Sequence, residues 1–137
     1  MSITKQIKTH HFRVTSAGAV AMPIAGEVVY YTDAVNVERA TDFCLIYKAA
    51  SSGVADLKIE IQQCWRLPTT EYAIDADYVE GESISDVEAN LTTTSRKHKS
   101  VTASINPVKY VRLKITGNAG NDASTTLEAT LQMQEEN

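Results

Sequence analysis

Hydrophobic and polar positions alternate along much of this chain. Between 111 and 115, Val111, Leu113 and Ile115 are separated by Arg112 and Lys114; between 127 and 133, Leu127, Ala129, Leu131 and Met133 are separated by Glu128, Thr130 and Gln132. A period of two sends successive side chains to opposite faces of a strand, so each run predicts a strand with one apolar and one polar face. The intervening "GNAGNDAST" holds no large apolar residue, and the two runs read as a closing hairpin. A one-residue slip would turn Leu127, Leu131 and Met133 out to water and Glu128 into the core. Each such side chain is worth about 1.5–3 kcal/mol when fully buried, so the register is strongly specified.

Further strands are expected upstream. "HFRVT" alternates Phe12 and Val14 about Arg13, and "GEVVYYTD" is a β-branched and aromatic run bounded by Gly26 and Asp33. "VNVERATDFCLIYKA" offers Val35 and Val37, then the compact apolar run Phe43 to Tyr47, which suits a strand buried on both faces. After the turn signal "SSG", "DLKIEIQQCWRLP" places Leu57, Ile59, Ile61 and Trp65 on an apolar face. Lys58, Glu60, Gln62 and Cys64 share the polar face, and Pro68 ends the strand. The core is thus the default place for Trp65. Residues 69–99 are less regular, with short strands read at Tyr72–Ile74 and Leu91–Thr94 and one helical turn at Ser85–Asn90, where Ser85 and Glu88 resemble a capping box. "SVTASI" at 100–105 is a further strand before the Asn106-Pro107 turn.

About seven to nine short strands separated by regular turn signals read as an all-β, antiparallel sandwich of jelly-roll type. The division expected is an N-terminal arm over residues 1–10 and one sandwich domain over 11–137. A chain near 150 residues buries about 68–70% of its unfolded surface and needs no staple. Cys44 and Cys64, the only cysteines, are read as free thiols behaving as small hydrophobes in a reducing compartment.

Charge and motifs narrow the chemistry. The net charge of −4 argues against a phosphate-binding surface as the main business of the chain. Charge is uneven, with Lys5, Lys8 and Arg13 and no acid in residues 1–14, and seven acids and no base in residues 71–90. The opening "MSITKQIKTHHF" lacks the apolar stretch of a signal peptide, and "AGAVAMPIAGEVVYY" is too short and Gly/Pro-broken to span a bilayer. The expectation is a protein made in a cytoplasm, with no membrane partner, which leaves the sequon at Asn90 without meaning.

Adjacent His10 and His11 point to opposite faces of a strand, and His98 sits among bases, so no zinc site is expected. Counted from Asp75 as a calcium loop, the sixth position is Glu80 rather than glycine and the twelfth is Asp86 rather than glutamate. A solvated acidic loop is the simpler account. There is no G-x-S-x-G elbow or P-loop, and the expectation is no enzyme and no cofactor. "SRKHKS" at 95–100 lacks interleaved aromatics and reads as a solvated loop or a salt-bridging contact to an acidic partner rather than a nucleic-acid site. Carbohydrate binding is the rival with more support, through Trp65, Tyr72 and Tyr78 among acids and amides.

The order of "SSGVADLKIEIQQCW", an irregular acidic middle and "YVRLKITGNAGNDASTTLEATL" resembles small β-sandwich proteins of tailed-bacteriophage structural modules, among them capsid decoration (cement) proteins. The ending from Lys109 to Gly117 also occurs in discoidin-like sandwiches. The phage resemblance implies a virion protein that binds the outer surface of an assembled capsid, often as a homotrimer at local threefold positions, with the major capsid protein as partner. A tail or neck component is the neighbouring possibility; a glycan-binding module of host recognition is the alternative from another class. In the decoration reading the basic N-terminal arm is the expected contact, with Ile3 and Ile7 as anchors and Lys5 and Lys8 as their charged neighbours.

Overall fold

The computed structural model describes residues 5–16, 18–51, 55–65, 72, 78–84, 95–101 and 109–136. The strands are β1 (Lys5–His11), β2 (Met22–Pro23), β3 (Val29–Tyr31), β4 (Val35–Asn36), β5 (Ala40–Ala50), β6 (Leu57–Cys64), β7 (Val79–Ile84), β8 (Ser95–Val101), β9 (Tyr110–Gly117) and β10 (Thr126–Glu136). No described residue is helical.

Two antiparallel sheets form. The first runs β1-β10-β5-β8, with β2 also on β10; the second runs β3-β9-β6-β7, with β4 also on β9. Since β1 and β2 share one side of β10, and β3 and β4 share one side of β9, each sheet has four strand positions among the described residues. From β4 onward the chain steps between sheets at β5, β6, β8, β9 and β10. This is the eight-position jelly-roll arrangement, and the fold class expected from the sequence is the one adopted.

Alternation builds the core. Phe43, Leu45, Tyr47 and Ala49 of β5 and Leu127, Ala129, Leu131 and Met133 of β10 are buried. Leu57, Ile59 and Ile61 of β6 and Val111, Leu113 and Ile115 of β9 are buried too, in the same cluster. Met22 of β2, Val35 of β4 and, from the connecting segments, Phe12, Ile24, Val37 and Ala55 complete that cluster.

The last two strands are not a hairpin. β9 pairs with β6 from Gly117 to Tyr110, whereas β10 pairs with β1 and β5. The loop 118–125 carries the chain from one sheet to the other, so the two runs face the same core from opposite layers. Asn121, 6% exposed, anchors this loop: its Oδ1 accepts from Asp56 N at 2.9 Å and its Nδ2 donates to Asp56 O at 3.0 Å.

Thr32 bridges the gap between β3 and β4. Its N donates to Leu113 O at 3.0 Å, and its Oγ1 accepts from Leu113 N at 2.8 Å while donating to Asp33 O at 3.0 Å. The side chain therefore continues the ladder where the backbone turns away, at 0% exposure. At the same end of the sandwich, Asp33 ties the two layers together. It accepts from Arg13 N at 2.8 Å, and the His10 ring Nε2 lies 2.9 Å from its Oδ2.

Several local expectations change. The first strand is Lys5–His11 rather than "HFRVT", with Phe12 just beyond its end. The boundary drawn at residue 10 therefore moves, because residues 5–10 belong to the sandwich and seven register pairs hold β1 on β10. The apolar run Phe43 to Tyr47 is not buried on both faces: Cys44 and Ile46 are half-buried on the outer side. "SRKHKS" is not a loop but most of β8, paired with β5 from Val101 to Ser95. Residues 79–84 of the acidic middle are strand β7, paired with β6 through an irregularity between Glu60 and Gln62. Most of the strands read at 100–105 and at Tyr72–Ile74 lie outside the described residues, as do the strand at 91–94, the helical turn at 85–90, Asp75, Asp77 and Ile3; Tyr72 itself is in a turn.

Candidate functional site

Cross-strand registers define the outer face of the first sheet row by row. One row is Thr9–Gln132–Cys44, with Ser100 in the next position on β8; the next is His11–Thr130–Ile46, with His98 beyond. Both centre rows lack acids, lysines and arginines. Charge collects at the ends of the face. Glu128 and Lys48 stand opposite each other there, with Nζ to Oε2 at 3.9 Å, and Asp42 lies beside Gln134 in the row of Ile7. Exposed pairs of this kind are worth about 0–1 kcal/mol and mark a rim rather than a stabilising feature. His11 Nδ1 is 3.0 Å from Thr130 Oγ1, which holds one side chain of the inner rows against its neighbour. A shallow groove of about 290 Å³ opens on this face, lined by Ile7, Asp42, Phe43, Cys44, Gln132, Met133 and Gln134.

The N-terminal residues singled out by sequence fall here in part. Ile7 sits in β1 at the groove and is 72% exposed. Lys8, one step along, lies 3.9 Å from Glu135 and is about half exposed. Lys5 begins β1, opposite Glu136 in the register. The structure thus places Lys5, Ile7 and Lys8 in one edge strand.

The second sheet's outer face is built differently. Arg112 points outward from β9 yet is 1% exposed. Its guanidinium carbon lies 4.6 Å from the Tyr31 ring centroid and 4.1 Å from that of Tyr78, and its Nε donates to Gln62 Oε1 at 2.9 Å. Cation–π contacts are strengthened by such desolvation. Glu60, Gln62 and Cys64, expected on a solvated polar face, are buried at 7%, 6% and 1% exposure. Sequence parity identified their face correctly, but nothing in it announces that Tyr78 closes over that face. Trp65 reverses in the other direction: β6 ends at Cys64, the alternation stops, and the indole is 62% exposed.

Both cysteines are free thiols, Cys44 half-buried and Cys64 buried. Among the described residues no group of three or more His, Cys, Asp and Glu side chains is placed to hold a metal ion, and no helix is long and apolar enough to cross a membrane. The arrangement offers flat sheet faces, one of them poor in charge along its centre, and one exposed indole at a strand end. The centre rows are what sequence reasoning missed. Alternation marks their members as outward-facing, but only the register brings Thr9, Gln132 and Cys44 together.

The class defined by strand order and layers is the jelly-roll sandwich. No family model matches the chain, and no curated protein matches it in sequence. Solved structures of infectious bursal disease virus do match in fold. A chain of the Gx strain structure aligns over 97% of this chain and 32% of its own length, at 13% identity and a TM-score of 0.55. One from the T13 viral particle aligns over 95% and 31%, at 12% identity and 0.54. One from the virus-derived T=1 particles aligns over 96% and 32%, at 13% identity and 0.53. This chain spans about a third of the length of those viral chains.

Proposed function

We propose that the chain is a virion structural protein without catalytic activity: a capsid decoration protein that seats the outer face of its first sheet on the exterior of a capsid. The observation that carries this reading is the charge pattern of that face. The rows of Thr9, Gln132 and Cys44 and of His11, Thr130 and Ile46 hold no acid, lysine or arginine and are flanked by Lys48, Glu128 and Asp42. Protein interfaces are built in this way, with charge depleted at the core and retained at the rim. The fit of nearly the whole chain to part of viral particle chains adds support, as does the phage resemblance of the sequence. In this reading the partner is the major capsid protein and the protein acts as a homotrimer, many modest contacts being summed by avidity.

The test is co-sedimentation of purified protein with undecorated capsids encoded by the same genome, with isolated tails as a parallel arm. Binding to capsids is expected. Gln132→Arg, an exposed substitution at the centre of the face, is expected to weaken it by about tenfold or more, because an unpaired charge is costly to bury. Failure to sediment with capsids would refute the decoration role, and binding to tails instead would relocate it.

A second reading, a glycan-binding module, is favoured by one observation, the 62% exposure of Trp65. As the sole tryptophan of the chain, it reports directly. A sugar-dependent change in its fluorescence would support this reading, and an unresponsive indole across a glycan panel would remove it.

A further inference from the structure

We propose that copies of this chain assemble head to tail through two end strands of its sheets, strand β1 of one copy adding to strand β7 of the next. Among the described residues the end strands are β1 and β8 in the first sheet, and β3 (with β4) and β7 in the second. Among the described residues nothing pairs along the outer side of β1 or of β7. Such edges present unsatisfied N–H and C=O groups and accept another strand readily unless charge or shape prevents it.

The charges of these edges are sorted by sign. β1, KQIKTHH, carries Lys5 and Lys8 and no acid. β7, VEGESI, carries Glu80 and Glu82 and no base. β3 is short and uncharged. Like charges directly opposite one another in an antiparallel pair are destabilising, and opposite charges are favourable. In full antiparallel register β1 against β1 sets Lys8 against Lys8, and β7 against β7 sets Glu80 against Glu82 when shifted by one residue. These symmetric registers are therefore discouraged, whereas β1 against β7 can set Lys8 opposite Glu82 and is encouraged. The strands have seven and six residues, so a full-length ladder can form.

The two edges lie at opposite ends of the sandwich. The contacts of Asp33 with His10 and Arg13 bring the β1 end of the first sheet to the β3–β4 end of the second, which leaves β7 with β8 at the far end. A β1–β7 contact is then heterologous and generates a closed ring when its rotation closes. Ile7, in the middle of β1 and 72% exposed, would gain cover from the added strand. Lys8 remains about half exposed beside Glu135 and is accessible to a partner. The strand β8, SRKHKSV, is basic as well, but it stands at the β7 end; pairing through it would make a two-fold dimer instead.

Light scattering coupled to gel filtration, on the full chain in about 0.1 M salt, tests this. The wild type is expected to assemble, and to fall apart as salt is raised toward about 1 M, where the screening length drops from roughly 10 to roughly 3 Å. Lys5→Glu with Lys8→Glu is expected to give monomers, as is Glu80→Lys with Glu82→Lys. All four together, which exchange the two charges, are expected to restore assembly. Circular dichroism checks that each variant is folded. A monomeric wild type, or an assembly indifferent to these reversals, would overturn the proposal. A dimer dissolved by Arg96→Glu with Lys97→Glu but not by the β1 reversals would overturn it in favour of the two-fold contact.

Discussion

Replacing Thr32 by Val isolates one hydroxyl that takes the place of backbone in the second sheet. The two side chains have nearly the same shape, so the change removes hydrogen bonding with little change in packing. Thr32 Oγ1 accepts from Leu113 N at 2.8 Å and donates to Asp33 O at 3.0 Å, and the residue is 0% exposed. Without the hydroxyl, the Leu113 N–H is left in the interior with no water to replace its partner. An unsatisfied buried donor costs about 1–3 kcal/mol, well above the net worth of an average hydrogen bond. For a domain of this size each kcal/mol lowers the Tm by roughly 3–5 °C, so a drop of about 3–15 °C is expected. Urea unfolding should show a lower midpoint with an unchanged slope. Thr32→Ser, which keeps the hydroxyl, should retain most of the stability. Thr41→Val serves as control: its hydroxyl bonds Gln134 O at 3.3 Å at an exposed position, and its effect should stay within about 0.5 kcal/mol. If Thr32→Val unfolds within about 0.5 kcal/mol of the wild type, the hydroxyl is not completing the ladder.

Gly117→Ala should destabilise by about 1–3 kcal/mol in the same assay, because a Cβ there would stand 2.5 Å from the Gly26 carbonyl oxygen and 3.0 Å from Ile24 Cγ2. Arg112→Ala should cost about 2–4 kcal/mol through two lost ring contacts and the stranded Gln62 oxygen; Arg112→Lys should recover little, since an ammonium does not stack as the planar guanidinium does. A thiol reagent should modify half-buried Cys44 in the native protein and reach buried Cys64 only on unfolding; equal rates would contradict the burial of the second sheet's outer face. The Asp122 carboxyl is held below its ordinary value of 3.8 by hydrogen bonds from the Ser124 hydroxyl and then the Ser124 N–H. A depressed folded-state pKa adds stability that is complete above the unfolded value and fades as pH falls through the folded one. Ser124→Ala should therefore flatten the acid limb of the stability profile below about pH 4, and an unaltered limb would show that the bonds do not hold the carboxylate.

The inward-facing residues of the core strands were legible in the sequence because a two-residue period needs only the local chain. Val111, Leu113, Ile115, Leu127, Leu131 and Met133 all face the core as their alternation requires. Ile7 and Lys8 were legible as part of a basic, polar N-terminal stretch, but not as strand, since their exposure leaves no apolar stripe to see. Partners were decided elsewhere. β9 and β10 carry patterns equally suited to a hairpin or to facing layers, and the choice fell to long-range pairing with β6, β1 and β5. Burial of the second sheet's outer face depended on Tyr78 arriving from a distant segment to lie against Arg112. Trp65 lost its expected place in the core because its strand stops one residue earlier. Period and composition thus determined which side of a strand is apolar and that the layers would be sheets. Only the tertiary structure decided which strands share a sheet, which polar residues are covered and which rows form a face. Those outcomes depend on registers between residues far apart in the chain, and no local pattern encodes them.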